Sequence, residues 1–273
     1  MAIDYAWNRK ALFTFGEPGT PGRTWENLDF TFNVKKSTKK EPNTLDLTIY
    51  GLSRESADWI REGQKTVRVI AGYEGDVGQI FLGDVDTAIY ERDGVETVLN
   101  VEASDGGRKY REARINKSYG SDTTLRRVVE EVSQAMGLPL GDVDGIPDIV
   151  LADSLVLHGP ARNQLDRLRA FGIEVWIQDG EIQIVPKERT AGEGPMISSE
   201  TGLIGSPRPQ FEKDSRKESG VEVVCLLQHR MNPGQRFELQ SRQYSGIYKA
   251  YEVQHAGDIA GGEWYTTVIA KAS

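Results

Sequence analysis

Residues 28–34 read Leu-Asp-Phe-Thr-Phe-Asn-Val, apolar at every second position, and that period belongs to a strand with one buried face, not to a helix. The pattern returns at residues 45–50. Between the two runs stands Lys35-Lys36-Ser37-Thr38-Lys39-Lys40-Glu41-Pro42-Asn43, whose four lysines and proline read as an exposed loop between antiparallel strands. Further strands are expected at residues 66–71, 79–90 and 95–103, joined by a glycine-rich turn around residues 73–78 and by Asp93-Gly94. Asp-Gly tolerates the positive φ that a two-residue hairpin turn demands. One short helix interrupts the strands: Ser53 caps residues 54–62, Gly63 ends it, and Ala57 and Ile60 stand at helical spacing. Residues 1–106 are therefore expected to form one antiparallel β unit, a small barrel or sandwich with one helix. The chain's 29 glycines in 273 residues, against a usual share of about 7%, suit many short strands joined by tight turns.

From Asp105 the texture changes. Gly106-Gly107 leads into a basic stretch over residues 108–117, which marks a boundary. Asp122 or Ser121 is the expected cap of a helix carrying Leu125, Val128, Val129, Val132 and Met136 on one stripe, with Gly137 as its stop. Residues 138–159 read as irregular. A second helix starts at Gly159-Pro160, buries Leu165, Leu168 and Phe171 and ends at Gly172. A hairpin of residues 173–177 and 181–185 follows around Asp179-Gly180. A long polar connection over residues 186–219 then gives way to strands at 221–227, 236–241, 247–255 and 264–270. The fold class is thus mainly β with an α+β module in the middle. An echo runs through it: Gly63-Gln64-Lys65, Tyr73 and Gly75 recur at the same spacing as Gly234-Gln235-Arg236, Tyr244 and Gly246. It suggests a duplicated β unit. Against that, Val67 and Val69 fall one position out of step with Phe237 and Leu239, and a one-residue slip reverses the faces of a strand.

The supply of chemistry is thin. With 41 acidic and 33 basic residues the chain carries a net charge of −8, which disfavours a stand-alone nucleic-acid binder. No apolar run approaches the roughly 18 residues of a membrane span, and residues 1–7 do not resemble a secretory signal. Cys225 has no partner for an intramolecular disulfide and reads as a small buried hydrophobe in a reducing cytoplasm. His158, His229 and His255 stand in no metal-ligand spacing, and nucleophile-elbow, phosphate-loop and dinucleotide motifs are absent. Two Gly-Asp-Val-Asp segments, at 83–86 and 141–144, offer carboxylate pairs. The first places Asp84 and Asp86 on one strand face, and the second lacks the other ligands of a calcium loop. Trp7, Trp25, Trp59, Trp176 and Trp264 read as packing residues before they read as a sugar platform. No catalytic, cofactor-binding or metal-binding residue is expected.

Met196-Ile-Ser-Ser-Glu-Thr-Gly-Leu-Ile-Gly-Ser-Pro207, Gly220-Val-Glu-Val-Val-Cys-Leu-Leu227, Pro233-Gly234, and Gly257-Asp258 with Glu263-Trp264-Tyr265-Thr266 resemble the C-terminal part of phage tail baseplate hub proteins. Asn43-Thr-Leu-Asp-Leu-Thr-Ile-Tyr-Gly-Leu-Ser53, Val69-Ile-Ala-Gly-Tyr73, Ile80-Phe-Leu-Gly83 and Asp93-Gly94 are similar to that family's opening barrel. Leu227-Gln228-His229 departs from it where Leu-Asn-Pro is expected. The resemblance implies two tube-like β-barrel domains, 1–106 and 191–273, around an α+β middle domain, 107–190. It further implies a structural, non-enzymatic hub in the virion baseplate, assembled in the host cytoplasm and related to hub parts of type VI secretion spikes. Such a hub is a homotrimer that adapts a six-fold tail tube to a three-fold spike around the ejection channel, since three chains of two tube-like domains present six. Implied partners are further copies of the chain, the tail tube protein, a spike or tail-tip protein and other baseplate proteins, with no sequence-specific nucleic acid, no membrane insertion and no cofactor. The candidate docking residues are Lys35, Lys36, Lys39 and Lys40, facing an acidic rim on a neighbour. The alternative is a tail-associated hydrolase or carbohydrate-binding module, which needs a carboxylate pair and aromatics in one groove.

Overall fold

The computed structural model describes residues 8–17, 20–93, 96–141, 146–211 and 218–273. Its first part holds strands β1 (Arg9–Gly16), β2 (Arg23–Trp25), β3 (Phe30–Ser37) and β4 (Thr44–Tyr50), helix α1 (Arg54–Arg61), and strands β5 (Thr66–Tyr73), β6 (Asp76–Asp93) and β7 (Glu96–Ser104). The middle holds α2 (Gly107–Glu112), β8 (Arg114–Tyr119), α3 (Leu125–Met136), β9 (Leu155–Pro160), α4 (Ala161–Arg167) with a 3₁₀ turn over Leu168–Phe171, β10 (Ile173–Gln178) and β11 (Glu181–Pro186). The last part holds β12 (Ile197–Ser198), β13 (Arg208–Phe211), β14 (Glu218–Leu226), β15 (Arg236–Gln240), β16 (Ser245–Asp258) and β17 (Trp264–Ala272). Strand residues far outnumber helical ones among those described, so the mainly β expectation stands.

Among the described residues two separate barrels do not form: thirteen strands hydrogen-bond into one open sheet, in the order β13-β14-β17-β16-β3-β4-β7-β6-β5-β1-β2 with β15 and β12 branching from β16. The run from β3 to β1 curls until Phe13 of β1 meets Phe30 of β3 at 5.1 Å between ring centroids. The curl stops at side-chain contact because the other edge of β3 is already taken, antiparallel, by residues 252–258 of β16. Inside it, Phe13, Phe15, Phe30, Leu45, Leu47, Ile49, Val67 and Phe81 are at most 1% exposed; each such side chain contributes about 1.5–3 kcal/mol by leaving water. Helix α1 lies against this core through Ala57 and Ile60. Ser53 caps it, its Oγ accepting the Ser56 N–H at 3.2 Å. A second core gathers around Val223, Phe237, Leu239, Val253 and Val268, and a third, in the middle part, around α3, α4, β10 and β11.

The echo in the sequence is an echo in topology. The first part orders its strands β3-β4-β7-β6-β5, and the last part orders β13-β14-β17-β16-β15, each following the same path along the chain. Each long strand, β6 and β16, shifts register once against the last strand of its set, at Val85/Thr87 and at Ala250/Glu252. The parity objection dissolves at the strand entry. From Gly63 the chain takes three steps to reach β5, and from Gly234 two to reach β15. Phe237 and Leu239 therefore face inward as Val67 and Val69 do.

The middle part departs from expectation in three places. Thr124, not Asp122 or Ser121, caps α3, its hydroxyl accepting the Arg127 N–H. Bonds from Leu125 N–H to the Ile149 carbonyl and from Leu151 N–H to the Thr123 carbonyl hold residues 123–124 extended and delay the helix. The end of the basic stretch runs into β8, which pairs from Arg114↔Pro160 to Tyr119↔Leu155 with β9, a strand where the last residues of the segment read as irregular and the expected helix start at Pro160 stood. Only Ile115 and Tyr119 of β8 face inward, too sparse an alternation to be read through the charges. The Asp179-Gly180 hairpin forms as expected, with φ of 53° and 83° at its two turn residues. Gly94 and residues 142–144, which carried the other hairpin and the second carboxylate pair, lie outside the described residues.

Candidate functional site

The four lysines do not share one environment. Strand β3 alternates inward Phe30, Phe32 and Val34, and Lys36 is the next inward position, so the strand's own period drives a charge under cover. Its side chain is 1% exposed, and its ammonium donates to Asp179 Oδ2 at 3.0 Å and to Asn232 Oδ1 at 3.2 Å. The expectation that Lys36 lies on an exposed tip is thereby corrected; the period-2 register that placed Phe30 and Val34 also placed it. Lys35, Lys39 and Lys40 are exposed. Lys39 pairs with Glu252 at 2.6 Å with both side chains in solvent, a contact worth under about 1 kcal/mol. Lys35 and Lys39 border a groove of about 300 Å³ whose far side carries Glu252, Gln254, Thr267 and Ile269.

Beneath the tip, all three parts of the chain meet through buried polar groups. Asp105 accepts from the Asn43 backbone N–H (3.0 Å), Asn43 Nδ2 (2.8 Å) and the Asp179 N–H (3.0 Å), while Asn43 also donates to the Ile177 carbonyl at 2.9 Å. Burial pushes the Asp105 carboxyl up to about 7, against the pull of the Asn43 and Asp179 hydrogen bonds. Arg169 donates to the carbonyls of Thr38 (2.8 Å) and Val175 (2.6 Å). Lys249 of β16 pairs with Glu174 of β10 at 2.7 Å, and both are largely buried. The Tyr110 hydroxyl donates to the Lys40 carbonyl. Residues 36–43 thus form a wedge held against the middle part, with Lys36, Thr38 and Asn43 buried and Lys39, Lys40 and Glu41 exposed at its tip. Sequence reasoning missed Asn43, Asp105, Asp179 and Arg169; the one signal available was Asp105 standing directly before the boundary at Gly106.

The remaining candidates among the described residues resolve into packing or surface pairs; Trp7 lies outside the described residues. His255 is fully buried in mid-strand, bonded through Nδ1 to Thr266 at 2.9 Å, and burial with the nearby Lys36 charge lowers its pKa to about 3. His229 lies 3.7 Å from Asp76, with burial lowering its pKa, and exposed His158 faces Asn116. Cys225 is buried and its pKa is pushed up to about 12, which leaves it protonated and unreactive. Asp86 pairs with Arg111. Trp176 and Trp264 are 1% exposed, while Trp25 and Trp59 pack on the first core. Among the described residues no three His, Cys, Asp or Glu side chains converge as metal ligands, and no helix is long and apolar enough to cross a membrane.

Comparison with known proteins follows the same lines. The family model described as baseplate hub gp41 matches residues 12–255. No curated protein sequence matches the chain. Among solved structures, the 43 kDa tail protein of prophage MuSo2 from Shewanella oneidensis superposes with a TM-score of 0.69 at 10% identity, covering 97% of this chain and 98% of that one. A tail protein from Neisseria meningitidis MC58 gives 0.68 at 8% identity, covering 98% and 97%. The c3393 protein of E. coli gives 0.62 at 10% identity, covering 95% of this chain and 76% of that one; it is described as a type VI secretion component structurally similar to the T4 tail proteins gp27 and gp5. At such identities the likeness is one of fold.

Proposed function

The chain belongs to the baseplate hub gp41 family, and on that premise we propose that it is the structural hub of a phage tail, a homotrimer that joins a six-fold tube to a three-fold spike around the ejection channel. The observation that carries this is the repeated strand order β3-β4-β7-β6-β5 and β13-β14-β17-β16-β15 within one chain. Three chains then present six like units to a six-fold partner, which is how a three-fold ring meets a six-fold one without loss of contacts. Residues 1–106 and 191–273 act as the two tube-like domains and 107–190 as a brace, a division supported by the three separate cores. Three copies of a chain of net charge −8 carry −24, a balance that lets DNA slide through a lumen instead of sticking.

The partners are the tail tube protein, the spike or tail-tip protein and other baseplate proteins, met in the virion after assembly in the host cytoplasm. The role is non-enzymatic. Lys35, Lys39 and Lys40 serve as an electrostatic guide toward an acidic neighbour, and Lys36 holds the wedge that presents them. A structure of the tail containing this chain is expected to show a three-fold ring between tube and spike. A six-fold ring of whole chains, or isolated copies, would refute the reading.

A further inference from the structure

Among the described residues, one strand pairing joins the first β unit to the second, beside side-chain contacts such as that of Trp264 with Phe32: β3 lies antiparallel on residues 252–258 of β16, just past that strand's register shift. The duplication supplies a counterpart for each side of the contact. β13 occupies in the second unit the place β3 occupies in the first, and residues 87–93 of β6, just past its own shift, occupy the place of residues 252–258. Among the described residues neither counterpart has a strand on that edge: β13 pairs only with β14, and β5 pairs with β6 no further than Asp84. Both edges expose large apolar side chains, with Ile89 on β6 at 53% and Phe211 on β13 at 55%. An exposed edge of this kind is a template for another chain.

We propose that the free edge of β6 receives β13 of a second copy of this chain, in the register that β3 uses on β16. The contact rests on the three-fold reading above and deepens it by assigning the surfaces. The register follows from matching rows: Val34, Leu45, Ala103 and Val85 lie across one set of strands as Pro209, Val221, Ala270 and Ala250 lie across the other. Internally, Lys35 stands opposite Gln254, Val34 opposite His255 and Asn33 opposite Ala256. Carried over, Gln210 stands opposite Ile89, Pro209 opposite Tyr90 and Arg208 opposite Glu91. The last pair is an acid facing a base, although nothing in the row matching selected for charge. Pro209 has no N–H to give to a ladder, so side-chain pairing carries more of this contact than backbone bonds do. Because it joins unlike surfaces, it is heterologous: repeated, it closes into a ring where the rotation between copies closes and runs on as a filament where it does not, and the three-fold reading requires the first.

The test is a pair of cysteines, Glu91→Cys and Arg208→Cys, in one full-length chain, oxidised and run on a non-reducing gel beside light scattering of the same sample. Residues directly opposite in an antiparallel pair stand about 4.5–5.5 Å apart at Cα, within reach of a disulfide, and Cys225 is buried. The expected result is covalent dimers and trimers from the double variant, collapsing on reduction, and none from either single variant. Absence of the cross-link overturns the proposal whatever the size of the particle. A cross-linked ladder that runs past three copies leaves the edge contact standing and overturns the three-fold reading. Ile89→Asp, at an exposed position, is expected to keep the circular dichroism of the parent and lose self-association; unchanged association would count against the edge.

Discussion

Gly63 and Gly234 open equivalent strands with the same backbone and different surroundings, so replacing each by alanine separates conformational strain from steric conflict. Their φ values are 70° and 83°, a region that costs a residue with a Cβ about 1–2 kcal/mol. At Gly63 a new Cβ meets nothing nearer than Lys65 Nζ at 3.6 Å, the end of a flexible side chain. Gly63→Ala is therefore expected to cost only the backbone term, about 1–2 kcal/mol. At Gly234 the Cβ would stand 2.6 Å from Trp176 Cη2 and 3.1 Å from Ala191 Cβ. That indole is 1% exposed and has nowhere to go, so overpacking adds roughly 1–3 kcal/mol and the total reaches about 2–5 kcal/mol. Urea unfolding followed by circular dichroism reads both, with an unchanged slope showing that the denatured state is unaffected. Equal losses in the two variants would refute the argument, because the backbone alone would then set the cost and the wall of Trp176 would count for nothing.

Trp264 ties β17 to the first core, 5.4 Å from Phe32 with its indole N–H donating to the Gly72 carbonyl at 3.2 Å. Trp264→Ala should cost about 3–5 kcal/mol and Trp264→Phe, which keeps a ring and loses the bond, about 1–2 kcal/mol; equal melting losses would contradict the packing account. Asp105 holds its proton to about 7 when folded, against 3.8 as its ordinary value, so the folded state binds more protons between those limits. Its contribution is complete below about pH 4 and is lost as pH rises through 7, a fall on the order of 4 kcal/mol. Asp105→Asn should remove that slope from the stability–pH curve, and a slope that persists would show that other groups produce it. Lys36→Met strands the partly buried Asp179 and should cost about 3 kcal/mol, whereas Lys39→Ser should cost under about 1 kcal/mol; thermal melts that rank them the other way would sink the wedge.

The sequence by itself determined what depends on neighbours along the chain. Alternation in β3 and β4, the Ser53 cap and the Asp179-Gly180 turn are local facts, set by a period, a side-chain oxygen and a tolerance for positive φ, and each is legible without a partner. The repeat was legible too, through Gly63-Gln64-Lys65 and Gly234-Gln235-Arg236, although its parity could be judged only once the shorter entry into β15 was seen. Tertiary structure decided the rest. Nothing within a few residues of Lys36 says that Asp179, far along the chain, will meet its ammonium. Nor does any local pattern show that β16 takes the edge of β3 and so leaves the curl of the first unit open. Strand periodicity says which face is buried but not which edge is paired, because the edge groups are the same backbone N–H and C=O in every strand; only the folded arrangement shows which edges find partners.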